Sequence, residues 1–71
     1  MSSRADILAL AAEKGWRDQL LPGTFAHLFS RGTSHVLCAW SIRSGAMTRL
    51  QVNGERVTAD KHRRAVKALS E

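Results

Sequence analysis

The chain predicts a two-layer α+β fold in the order helix, three antiparallel strands, helix, with both helices on one face of the sheet. Three observations predict it. Apolar residues recur at helical spacing near both ends, the period changes to two in the middle, and Gly-containing turn signals separate the alternating runs. The 71 residues form one domain, residues 1–71, near the size at which a single core buries only about 60% of the unfolded chain's surface.

Ser3 followed by Asp6 has the look of a capping box, and Ile7, Leu8, Leu10, Ala11 and Ala12 then give the first helix a broad apolar face running to about Lys14. Gly15 supplies a left-handed residue to close that helix, and Trp16 just beyond it folds back onto the last turn, as in a Schellman cap. Pro22-Gly23 fits a type II turn and launches a strand. From Thr24 to about Arg31, Phe25, His27 and Phe29 alternate with Ala26, Leu28 and Ser30, which leaves open which set is buried. After the loop Gly32-Thr33-Ser34, strand two sets Val36, Cys38, Trp40 and Ile42 on the core face and His35, Leu37, Ala39 and Ser41 on the other.

Ser44-Gly45 then marks a hairpin. In strand three Ala46, Thr48, Leu50 and Val52 point one way and Met47, Arg49 and Gln51 the other. Asn53-Gly54 is a second hairpin signal, after which Arg56 and Val57 add a short fourth strand or a loop. Asp60 or Thr58 caps the last helix, whose Ala65, Val66 and Leu69 share one side, with His62 at its upper end. Two amphipathic helices covering one sheet face leave the other open, carrying His35, Leu37, Ala39, Met47, Arg49 and Gln51.

Composition narrows the function classes. Eleven Lys and Arg against six Asp and Glu give +5, with an isoelectric point near 10.8, a balance that favours an acidic partner. Cys38 is the only cysteine, which excludes an internal disulfide framework and fits a reducing cytoplasm. Charges at Arg4, Asp6, Glu13, Lys14, Arg17 and Asp18 interrupt the first 20 residues, so neither a secretory signal nor a membrane span is expected, and the expected location is cytoplasmic. His35 alternates to the face opposite Cys38 and so cannot serve it as a base, although His27 could approach from strand one. Three histidines and one cysteine lack metal-ligand spacing. No glycine-rich phosphate loop or paired carboxylates appear. The expectation is a non-enzymatic protein without cofactor, metal or small-molecule substrate.

The most distinctive local feature is the last helix. Lys61, Arg63 and Arg64 crowd its N-terminus, where free amides and the helix dipole already favour an anion. Together with Lys67 they suit a nucleic-acid phosphate backbone, DNA or RNA, and Arg31, His35 and Arg49 could extend the patch. An alternative assigns the affinity to the open sheet face, where Leu37 and Met47 would take a partner protein or a second copy of the chain.

Helix, three strands and helix, with the Gly32-Thr33-Ser34-His35 loop after strand one and Lys61, Arg63 and Arg64 opening the last helix, resembles the double-stranded RNA-binding domain over residues 24–69. Thr33 stands where that family's loop carries proline. The resemblance implies a loop that enters a minor groove and a basic helix start that straddles the neighbouring phosphates. The chain also resembles small accessory proteins of actinobacterial viruses and their hosts, in Gly15-Trp16 after the first helix, Trp40 before a Ser-Gly turn and a basic closing helix. That likeness implies action on a host protein inside an infected bacterium, and carries no site residues.

Overall fold

Alternation in the middle of the chain does build a sheet, and in the computed structural model, which describes residues 3–22 and 25–71, that sheet has five strands. The order is α1 (Ser3–Glu13), β1 (Arg17–Leu20), β2 (Ala26–Arg31), β3 (Ser34–Trp40), β4 (Met47–Val52), β5 (Glu55–Val57) and α2 (Lys61–Ser70). Every strand pairs antiparallel with its sequence neighbour, giving the spatial order β1-β2-β3-β4-β5. The possible short fourth strand is present, and the count is corrected by one more. Arg56 and Val57 do form a strand, and β1 is one that the sequence did not announce. Its residues Arg-Asp-Gln-Leu show no apolar alternation because all four lie at an exposed edge.

The end of α1 follows from its sequence. Gly15 sits at φ +80°; its N–H donates to the Ala12 carbonyl at 3.2 Å and that of Trp16 to the Ala11 carbonyl at 2.9 Å. This is the paired hydrogen bonding of a Schellman cap. The Asn53-Gly54 turn has positive φ at both residues, the type I′ geometry whose twist suits a two-residue hairpin. The Ser3 side chain and the Gly23 half of the Pro22-Gly23 turn lie outside the described residues, as does Thr24.

One cluster holds the layers together. Ile7, Ala11 and Trp16 from the first helix and its cap, and Ala65 and Leu69 from α2, pack on Phe29 of β2, Val36, Cys38 and Trp40 of β3 and Leu50 of β4. Both helices thus cover the same sheet face. Full burial of a side chain such as Ile7, Phe29 or Leu69 stabilises the fold by about 1.5–3 kcal/mol. On β2 the buried set is His27 and Phe29, whereas Phe25, just ahead of the strand, is 47% exposed.

Two placements differ from the alternation rule. Ile42 is not on the core face of β3: it lies in the β3–β4 loop and is 75% exposed. There the chain makes one helical turn, with the Gly45 N–H on the Ser41 carbonyl at 2.9 Å, before it can extend the strand. Met47 is not on the open face either. Pairing passes from Ala39↔Arg49 to Trp40↔Met47, so one extra residue, Thr48, bulges out and turns Met47 to the core side, where it packs against the buried cluster.

Candidate nucleic-acid interface

Burial of Ala65 and Leu69, four residues apart, fixes which way α2 faces. Arg63, Arg64 and Lys67 then fall on its solvent side, and all three are exposed, while Lys61 at the first position is half-buried. No acidic residue occurs within Lys61–Ser70. Asp60 occupies the N-cap position in the left-handed region, at φ +52° and ψ +43°, and its side chain caps no amide. Instead, its carboxylate accepts a hydrogen bond from Arg63 Nη2 at 3.1 Å. Both groups of that pair are mostly in water, so it contributes little stability. The expected side-chain cap is thus replaced by an ion pair with Arg63. Of the two expected N-cap residues, Asp60 takes the position and Thr58 does not.

Arg64 lines a hollow of about 280 Å³ with Val52, Glu55, Arg56, Val57, Thr58 and Ala59. A second hollow, of about 250 Å³, is lined by Val52, Arg64, Lys67, Ala68 and Glu71. Val52 and Arg64 belong to both, so the two hollows adjoin between α2 and the β4–β5 hairpin; α2 gives them Arg64 and Lys67, Glu55 and Glu71 stand beside these, and Arg56 borders the first from the β5 edge. Arg56 is the bordering residue that sequence reasoning passed over. Its only signal was its place just after the Asn53-Gly54 turn. Such a surface can offer guanidinium and ammonium donors to phosphate oxygens.

The other three proposed contacts do not join this surface. Arg31 points between the C-terminal ends of both helices: Nη1 donates to the Lys14 carbonyl at 3.0 Å and Nη2 to the Glu71 backbone oxygen at 2.7 Å. Its guanidinium carbon lies 4.6 Å from the Trp16 ring centre. His35 and Arg49 are exposed on the opposite, open face of the sheet, His35 across from Ser30 and Arg49 across from Ala39. The Gly32 segment is no projecting loop but a two-residue turn, with Arg31 paired to Ser34. Of the residues assigned to a protein partner, Leu37 is on the open face and half-buried, and Met47 is on the core side.

A second polar constellation centres on a buried histidine at the edge of the core. His27, 4% exposed, meets Asp18 Oδ1 through Nδ1 at 2.7 Å and Arg4 Nε and Nη2 through Nε2 at 3.2 and 3.1 Å. A guanidinium only donates, so Nε2 accepts and the proton sits on Nδ1, directed at Asp18. Phe29 stacks 6.0 Å from the imidazole and Trp40 meets it edge-on at 5.8 Å. Cys38 is directly across from His27, but both ring nitrogens are already engaged, and burial pushes the Cys38 thiol up to about 12. The thiol stays protonated at neutral pH and has no base in this histidine.

Among the described residues, no three His, Cys, Asp or Glu side chains gather in a cluster that could hold a metal ion, and no helix is long and apolar enough to cross a membrane. No family model, curated protein or solved structure gives a significant match to the chain.

Proposed function

We propose that the protein is a small non-enzymatic binding module that takes a nucleic-acid phosphate backbone on the solvent side of α2. The observation that carries this reading is the exposed stripe of Arg63, Arg64 and Lys67, without an acidic residue in the helix, beside the hollows that Arg64 and Lys67 line. Contacts of this kind position a polyanion without reading bases. Their signature is release of condensed counterions, which makes affinity fall with salt.

Three duplex-DNA phosphate contacts predict a loss of about 40-fold in affinity between roughly 50 and 200 mM salt, and four predict about 150-fold. Fluorescence anisotropy of labelled duplex RNA, duplex DNA and single strands tests this, with duplex RNA first because of the resemblance to the double-stranded RNA-binding domain. Replacing Arg64 and Lys67 together by Ala should weaken binding and flatten the salt dependence by close to two contacts. Unchanged affinity in that double variant would remove α2 as the binding surface.

A further inference from the structure

Among the described residues, the open sheet face carries cations and no acid. By register, Arg17 on β1, Arg49 on β4 and Arg56 on β5 project from it, and all three are exposed. Asp18 and Glu55 sit across from Phe29 and Val52, on the helix side, and the other four acids are on the helices or next to α2, at Asp6, Glu13, Asp60 and Glu71. Seven of the eight remaining cations share that side with them; Arg43 is in the β3–β4 loop.

The centre of the same face is apolar. One row across the sheet reads Gln19, Leu28, Leu37, Gln51, Arg56, and the next reads Ala26, Ala39, Arg49. Leu28 and Leu37 are direct cross-strand neighbours, and Ala26 and Ala39 form a shallower floor beside them. All four are half-buried, and among the described residues no helix or strand lies over them. Strands are about 4.8 Å apart, so β1 and β4 stand about 14 Å apart across this strip. That spacing brackets one α-helix, whose diameter with side chains is about 10–12 Å.

We infer that this face docks an acidic amphipathic helix of another protein. An apolar stripe on the helix would seat on Leu28, Leu37, Ala26 and Ala39, and Asp or Glu residues along its two borders would meet Arg17 on one side and Arg49 and Arg56 on the other. Charge complementarity selects this occupant. A second copy laid face to face would set arginine against arginine with no acid to separate them. A nucleic acid would find aliphatic side chains at the centre in place of the aromatic platform that stacks bases. The inference does not depend on the α2 reading, since the two surfaces share only Arg56 at the β5 edge.

The probe is a synthetic helical peptide of about 20 residues with a Leu/Ala stripe bordered by Glu, and its control carries Lys at the bordering positions. The readout is amide chemical-shift change in the isotope-labelled protein. The Glu-bordered peptide should shift residues 26–30 and 35–39, and the Lys-bordered peptide should not. Leu37→Asp should abolish the shifts with the far-ultraviolet circular dichroism unchanged, and Arg17→Glu with Arg49→Glu, which leaves the core untouched should Leu37→Asp unfold the chain, should weaken binding about tenfold or more. Equal binding of both peptides, or shifts confined to α2, would overturn the inference. So would duplex DNA moving the same amides, or a concentration-dependent dimer of the free protein that Leu37→Asp dissolves.

Discussion

Arg31 separates a charge from its use. A cation near a strand end looks available for phosphate, yet its donors are spent on carbonyls 17 and 40 residues away in the chain. At each of those helix ends the backbone carbonyls lack intrahelical partners and the dipole is negative, so one guanidinium satisfies both while lying over Trp16. Arg31→Ala should destabilise the protein by about 1–2 kcal/mol in urea unfolding. Arg31→Lys should recover only part of that, because a point-charge ammonium cannot fork to two acceptors from a stacked position. An unaltered urea midpoint in Arg31→Ala would mean that these contacts carry no stability. Sequence alone could not reveal this, since neither acceptor is a side chain. His27 was ambiguous for a related reason: alternation placed it with Phe29, but its partners Asp18 and Arg4 come from an unannounced strand and from α1.

Legibility at the scale of elements tracks local chemistry. The Schellman end of α1 and the Asn53-Gly54 hairpin could be read because particular residues must adopt positive φ there. Asn53 adds a further bond: its Oδ1 accepts the His35 N–H at 2.8 Å, and its own N–H donates to the His35 carbonyl at 2.7 Å. The β4–β5 turn is thereby tied to the start of β3. Asn53→Ala should cost about 1–2 kcal/mol in thermal or urea unfolding, and Asn53→Gly less, since glycine keeps the backbone conformation and loses only the side-chain bond. Equal losses in the two variants would mean that the side-chain bond, not the backbone, sets the cost. β1 could not be read from local signals because an exposed four-residue edge strand needs no apolar alternation. The bulge at Thr48 was hidden as well, since one inserted residue leaves composition and turn signals unchanged while it reverses which side chains face the core. That reversal moved Met47 off the surface assigned to a partner.

For the whole molecule, sequence supplied the amount of charge but not its partition, because the division between faces depends on strand register and on which helix side is buried. Cys38, fully buried at the centre of the cluster, reports on the fold as a unit. Burial moves its thiol from the ordinary 9.0 to about 12, so between those values the unfolded chain ionises where the folded one does not. Stability from this group is complete below pH 9 and is lost as pH rises toward 12, at about 1 kcal/mol per pH unit. Unfolding free energy measured from pH 8 to 11 should fall accordingly, and a Cys38→Ala variant should fall less steeply. The two long-range closures have a kinetic meaning as well. Every strand pairing joins sequence neighbours, so the sheet is assembled from short loops that close at little entropic cost. The bond from Trp16 Nε1 to the Leu69 carbonyl instead spans 53 residues, and the Arg31 bond to Glu71 spans 40. Loop-closure entropy therefore predicts that α2 docks after the hairpins zip, which phi-values near zero for substitutions at Ala65 and Leu69 would bear out and values near one would overturn.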